Sequence, residues 1–428
     1  MVDQRRIDDQ RWVDSRTAAR HLGIQQRTLY AYVSRGQVRS VAGEQGRPRL
    51  YSLADLDRLR VRRDARAGHG AVAAGALRWG EPVLDSAITA ITPKGPAYRG
   101  RLAVELAEAS ARFENVAELL WSGYLPSEPV TWPRTAPLIA QVGKLVPYGA
   151  RPLDVMPMLI NIAALGDSQR HDARPDAIIS RGRALIPLLA AALAPDFAAA
   201  TVTRALGGSS VAVIAARALG LDDSVAPMLD VALVVLADHE LNASSFTARI
   251  AASTGADPYA CVAAALATLS GPKHGAAPEL VARFADDVGG PEQARAAIRA
   301  LRKRGEVPPG FGHTLYPAGD PRGRPLLEIT RQLLATTRSP FARRARTLLA
   351  IVDATADLAR RDHVKASAEP SVDVGIAAMV AALGVQPAAG SGLFAVARSA
   401  GWLAHALEQR AAGYLLRPRA RYIGVAVS

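Results

Sequence analysis

The chain has 428 residues, 49% hydrophobic and 21% charged, enough apolar content for roughly two or three folded units and too much for disorder as the main state. A single cysteine, Cys261, excludes a disulfide framework and a cysteine-built zinc site; its Ala-rich helical surroundings mark it as a buried apolar residue, as suits a reducing cytoplasm. The net charge of +13 favours polyanion partners, nucleic acid or small molecules bearing phosphate or carboxylate, while the 5% aromatic content argues against base stacking over the whole chain.

The opening MVDQRRIDDQ is charged and lacks the apolar run of a secretory signal. No stretch of about 18 uncharged apolar residues follows, so no membrane contact is expected. Residues 1–66 hold 15 Arg, no Lys and 8 acidic residues, a net +7, and read as a basic module. Asp14 or Ser15 can cap a short helix with Ala18, Ala19 and Leu22 on one face, and Gly23 ends it. Gln26–Ser34 predicts a second helix, with Leu29, Tyr32 and Val33 inward and Arg27, Thr28 and Ala31 outward. Two short helices joined through a Gly turn make a helix-turn-helix. Beyond Arg35-Gly36, residues 38–42 and 47–52 flank Gly43–Gly46 as a two-stranded wing, and Ser52 caps a third helix. The stretches TAARHLGIQQRTLYAYVSRG and RPRLYS resemble the DNA-binding domain of MerR-like and excisionase-like winged helices. DNA is then a candidate partner through residues 1–66, with Arg27, Thr28, Arg35, Arg47 and Arg49 as candidate contacts. A basic helical module used for protein contacts or solubility is the alternative. Residues 67–75, small and Gly-rich, read as the linker.

From about residue 100 onward, Ala, Leu, Arg and Val recur at helical spacing, as in Gly100–Trp121, Pro152–Ala164, Ala177–Leu193 and Pro258–Leu269. Strand-like alternation is confined to Gly75–Tyr98, around Thr92-Pro93-Lys94-Gly95. The fold class is all-α with a small β element. No Walker A, Rossmann fingerprint, HExxH or GxSxG occurs.

Of eight histidines, His21, His69, His171 and His363 have no chemical context, and His405 in GWLAHALEQ reads as one face of a helix. Three others differ. His239 lies in ADHELNAS, where three consecutive ionisable residues follow an apolar run, a costly arrangement unless paired or functional. His274, in SGPKHGAA, and His313, in VPPGFGHTLYPAGDPRG, sit on Gly-flanked turns. Two such imidazoles suit polarising and protonating carbonyl oxygens; zinc is the rival, but no HxxxH pair occurs.

LADHELNASSFTARIAASTGADPY, LSGPKHGAAPE, PPGFGHTLYPAGDPRG, PSVDVGIAAMVAALG, FAVARSAGWLAHALEQ and LRPRARYIG stand in the order found in citrate synthases, and the chain resembles that family from about Gly75 to its end. The resemblance implies a large domain, 76–253 with 359–428, and a small domain, 254–358. It implies condensation of acetyl-CoA, as co-substrate, with oxaloacetate, without metal or other cofactor. By the same resemblance Asp373 is the base, His274 donates to the thioester oxygen, and His313 protonates the ketone. His239, Arg322, Arg398 and Arg417 bind oxaloacetate, the last reaching across a homodimer. The sequence departs from the family pattern at several places. Thr314 follows His313 where many bacterial relatives have Arg, and Pro317 and Ala318 stand where a basic residue often binds coenzyme A phosphates. Ser371 replaces Asn, Gly375 an aromatic residue, and Lys273 an apolar one. A propionyl-CoA-using 2-methylcitrate synthase and a metabolite-sensing regulator on the same fold are the alternatives.

Overall fold

The computed structural model describes residues 12–34, 37–41, 49–53, 55–56, 59, 84–135, 139–336, 342–361 and 369–418. The chain divides into two units, Met1–Asp85 and Ser86–Ser428.

In the first unit, β1 (Trp12–Asp14) leads directly into α1 (Ser15–Leu22). Asp14 is the cap: its Oδ1 accepts the Thr17 N–H at 2.8 Å. Gly23, in the left-handed region, ends the helix, and α2 (Gln26–Ser34) follows. Ala18, Leu22 and Leu29 meet Val38, Tyr51 and Leu56 in one small core, with Tyr32 and Val33 packed against it. β2 (Ser40–Val41) and β3 (Leu50–Ser52) form the wing, but β1 also pairs with β3, placing Trp12 opposite Ser52. The sheet is therefore three-stranded where two strands were expected, because the residues ahead of α1 are already extended. Ser52 Oγ accepts the Asp55 N–H at 3.4 Å, and the Asp55 carboxylate holds the Arg39 guanidinium. Arg27 and Arg49 are exposed and Thr28 is partly exposed. Arg35, Arg47 and the linker 67–75 lie outside the described residues.

The second unit opens with the expected hairpin, β4 (Thr89–Thr92) and β5 (Gly95–Tyr98), to which β6 (Arg101–Leu102) adds a third antiparallel strand. Helices α3 (Ala103–Glu108), α4 (Phe113–Ser122), α5 (Ile139–Gly143), α6 (Pro152–Gly166) and α7 (Pro175–Ala191) follow. Next come α8 (Ala199–Leu206), α9 (Val211–Ala218), α10 (Ala226–Leu236), α11 (Ala243–Ser253) and α12 (Pro258–Leu269). The series ends with α13 (Ala277–Val288), α14 (Ala294–Lys303), α15 (Gly323–Thr336), α16 (Ala342–Arg361), α17 (Val372–Ala382) and α18 (Ala388–Ala412). The expected continuous stretch Gly100–Trp121 is two helices, with Ser110 at φ 56° between them.

Two apolar cores organise this unit. The larger gathers α4, α6, α7, α9 and α10 around α18, whose Leu393, Val396, Ala400 and Leu403 are almost fully buried. The smaller joins α13, α14 and α16 through Val281, Ile298, Leu348 and Ile351. Burial of each such side chain stabilises by about 1.5–3 kcal/mol. α17 belongs to both: Ile376, Met379 and Val380 enter the larger core, Val374, Ala377 and Ala378 the smaller. α12, which the resemblance put in a small domain from residue 254, buries Val262, Ala265 and Leu266 in the larger core. A helix apolar on most of its surface has to be enclosed. Among the described residues no helix is long and apolar enough to cross a membrane.

Candidate active site

Three turns and two helices bring the chemistry together, each for a local reason. α10 runs out at Leu236, and Tyr98 from β5 anchors its end, with the hydroxyl 3.1 Å from the carbonyls of Val234 and Asp238. The turn that follows holds His239, then Glu240 at φ 54°, whose N–H donates to Asp238 Oδ2 at 3.1 Å. Asn242 closes the turn by capping α11: its Oδ1 accepts the N–H groups of Ser244 and Ser245, both at 3.1 Å. His239 is buried, with Nε2 2.9 Å from the Tyr316 hydroxyl.

His313 stands on the second turn. Gly310 and Gly312 lie at φ 82° and 76°, and a Cβ on Gly310 would come within 2.6 Å of Val374 Cγ2, so only glycine fits. The turn is tied to the segment ahead of α17, because the Ser371 N–H donates to the Gly310 carbonyl at 2.7 Å. The Leu315 N–H donates to His313 Nδ1 at 3.2 Å, which puts the ring proton on Nε2. The His313 ring lies 5.6 Å from that of His239 and 5.0 Å from that of Tyr316, centroid to centroid.

On the third turn, His274 donates its N–H to the Gly271 carbonyl and sets Nε2 2.8 Å from Ser244 Oγ. That hydroxyl also receives Trp402 Nε1–H at 3.1 Å and donates to Asn242 Oδ1 at 2.8 Å. Asp373 occupies the first turn of α17, where the Ser371 hydroxyl lies 3.0 Å from its Oδ2 and also accepts its N–H. Asp320 accepts the Val372 N–H at 3.0 Å and grips Arg322 in a two-pronged ion pair, Nε to Oδ1 at 3.0 Å and Nη2 to Oδ2 at 2.8 Å. Arg398, on α18, is 1% exposed, which matters because its ties are so few. Its Nε donates to the Leu236 carbonyl at 2.9 Å, its guanidinium lies 4.7 Å from the Phe394 ring centre, and its Nη2 has no hydrogen-bond partner among the described residues.

The electrostatics follow from burial. Burial first, then Arg322 and Arg398, hold His239 well below the ordinary histidine range. Burial, then Arg398, brings His274 down to about 4, and burial lowers His313 against the pull of Asp320. Asp373 is raised, because burial outweighs the Ser371 hydrogen bond and the nearby guanidinium groups. Burial also lowers Arg398, to about 10, against the pull of Asp238. At neutral pH the site thus offers three neutral imidazoles, a carboxyl and two guanidinium groups, one of them with an unused donor. Such a set can hold an anion, polarise an oxygen and move a proton.

Six expected residues, His239, His274, His313, Arg322, Asp373 and Arg398, share this region. Arg417 lies exposed beyond the end of α18, in no contact described at the cluster. Sequence reasoning missed Tyr316, Ser244 and Asp320. Asp320 had a signal, two residues before Arg322; Ser244 had only its place in a helix-capping pattern. Among the described residues no group of three or more His, Cys, Asp or Glu is placed to hold a metal ion.

Residues 14–71 match the family described as MerR HTH family regulatory protein, and residues 76–419 match the citrate synthase C-terminal domain. Citrate synthase 2 of Bacillus subtilis is 39% identical over 194 residues, 45% of this chain and 50% of that protein. The match thus spans about half the length of that curated relative. A 2-methylcitrate synthase of Shewanella oneidensis is 29% identical over 376 residues, 81% of this chain and 92% of that one. In fold, citrate synthase of Thermoplasma acidophilum, solved with carboxymethyl coenzyme A and oxaloacetate, superimposes with a TM-score of 0.69 at 22% identity, over 81% of this chain and 95% of that one. Citrate synthase of Pyrobaculum aerophilum gives 0.66 at 26% identity, over 81% and 91%. With the family match covering most of the chain and the helical architecture shared, this protein belongs to the citrate synthase family.

Proposed function

We propose that the cluster condenses acetyl-CoA with oxaloacetate to give citrate and coenzyme A. The observation that carries this reading is Arg398, a buried guanidinium with a free Nη2 beside neutral imidazoles. Arg398, with Arg322 and His239, holds the carboxylates of oxaloacetate. Asp373 takes a proton from the acetyl methyl group. The enolate oxygen that results accepts a hydrogen bond from His274 Nδ1–H, a tautomer that requires the Ser244 hydroxyl to turn its proton from Asn242 Oδ1 to His274 Nε2. The methyl carbon then bonds to the ketone carbon, and His313 Nε2–H gives its proton to the ketone oxygen as that bond forms. Water finally cleaves the thioester of the citryl product, releasing citrate and the free thiol.

Thiol release from acetyl-CoA and oxaloacetate tests this. Asp373→Asn should lower kcat by about 10³-fold, within the range for general acid–base groups. Release from neither protein would leave the metabolite-sensing regulator as the reading. The Shewanella relative, matched over most of both chains, supports a second substrate, propionyl-CoA. The ratio of kcat/KM for the two acyl-CoAs decides between them. With Pro317 and Ala318 neutral, the exposed Lys273 beside His274 is a candidate contact for coenzyme A phosphates. The exposed position of Arg417 suits a residue that completes the site of a second subunit in a homodimer. Mixing an Arg417→Ala chain with an Asp373→Asn chain should then restore turnover that neither has alone. The MerR match and the exposed Arg27, Thr28 and Arg49 support DNA binding by the first unit, with the protein working in the cytoplasm.

A further inference from the structure

On α18, Arg398, Gly401 and His405 are spaced three and four apart and so share one face of the helix. They address three consecutive residues at the end of α10. Arg398 Nε donates to the Leu236 carbonyl at 2.9 Å, and the Gly401 N–H donates to the Ala237 carbonyl at 3.1 Å. His405 Nε2 lies 3.3 Å from Asp238 Oδ1, within ion-pair reach though off the line of a hydrogen bond. Both of these side chains are 0% exposed, and packing alone does not call for an imidazole against a carboxylate there. A buried carboxylate is costly unless something of opposite character faces it. Arg398, Arg249, Tyr98 and the Thr89 hydroxyl also act on Asp238. The far oxygen of Asp238 accepts the Glu240 N–H, and Glu240 sits at a positive φ that a residue with a side chain adopts only when its surroundings hold it there. Between them, on the same turn, is His239.

We infer that His405 is a positioning residue: it holds the Asp238 carboxylate and so fixes the turn that presents His239, setting the affinity for the dicarboxylate substrate. This rests on the reaction proposed above only for the identity of that substrate. Two neutral polar variants separate reach from chemistry. His405→Gln places an amide donor about where Nε2 stands, whereas His405→Asn stops short. The measurements are oxaloacetate affinity by titration calorimetry, KM and kcat, the unfolding midpoint, and hydrogen exchange of the peptide spanning residues 237–242. His405→Gln should stay within about twofold of the parent in affinity and KM, and His405→Asn should weaken both about tenfold, as a small misplacement of a binding group does. The KM for acetyl-CoA should not change, and kcat should move less than the KM for oxaloacetate. Exchange at residues 237–242 should be about tenfold faster in His405→Asn than in His405→Gln. Equal behaviour of the two variants overturns the inference, and so does faster exchange with unchanged oxaloacetate affinity. A parent protein that binds oxaloacetate without turnover removes the proposed reaction but leaves this test intact. If the parent does not bind oxaloacetate at all, the affinity claim falls.

Discussion

Arg398 and Asp373 set the site's demands at the scale of single residues. Arg398 is desolvated and has one nitrogen unengaged, so a substrate carboxylate gains more from it than from a surface arginine. Arg398→Lys, which loses the planar fork, should raise KM for oxaloacetate by roughly 10–100-fold, the equivalent of one charged hydrogen bond. Asp373 must be ionised to act as base, and burial raises the pH at which it ionises. Turnover should therefore be lost as pH falls through that raised value, with the acid limb of the kcat profile above the ordinary aspartate range. His274 stays neutral down to about 4 and sets no limb near neutrality. Residue types and motif order made these residues legible in the sequence. The free nitrogen on Arg398 was not legible, because it depends on which carbonyls happen to lie within reach.

Among the elements, α18 comes close to the residues that follow α10. A Cβ on Gly401 would come within 2.7 Å of the Ala237 carbonyl and would collide with the Asp238 carboxylate. Gly401→Ala should lower stability by about 1–3 kcal/mol, read as a fall in the unfolding midpoint, as overpacking does. Ser371→Ala removes the cap of α17 together with a neighbour of Asp373, and should cost about 1 kcal/mol. Helix boundaries were readable where punctuation marks them. α12 begins at Pro258 after the capping Asp257 and ends at Leu269, as its pattern predicts. The break at Ser110 and the pairing of β1 were not, since a left-handed serine and a three-residue strand leave no periodic signal.

At the scale of the whole molecule, stability and the two units each give a test. Asp230, pushed up to about 7 by burial and by the nearby Glu114, accepts the Phe113 N–H at 3.0 Å. Its folded value lies above the unfolded one, so the folded state binds more protons in between, and stability should fall as pH rises from about 4 to about 7. Asp230→Asn should flatten that slope and stabilise the protein at pH 8 by about 1–3 kcal/mol after solvent screening. Removing residues 1–66 should abolish a salt-sensitive DNA gel shift while leaving thiol release intact. The basic charge of the first unit was visible in composition, whereas membership of α12 in the larger core was not, because periodicity reports how apolar a helix is and not which neighbour covers it. α17, enclosed by both cores, has a further consequence. It offers evolution no free side on which to drift, so new acyl specificities in this lineage should arise by remodelling the turns around it, while the helix itself changes last.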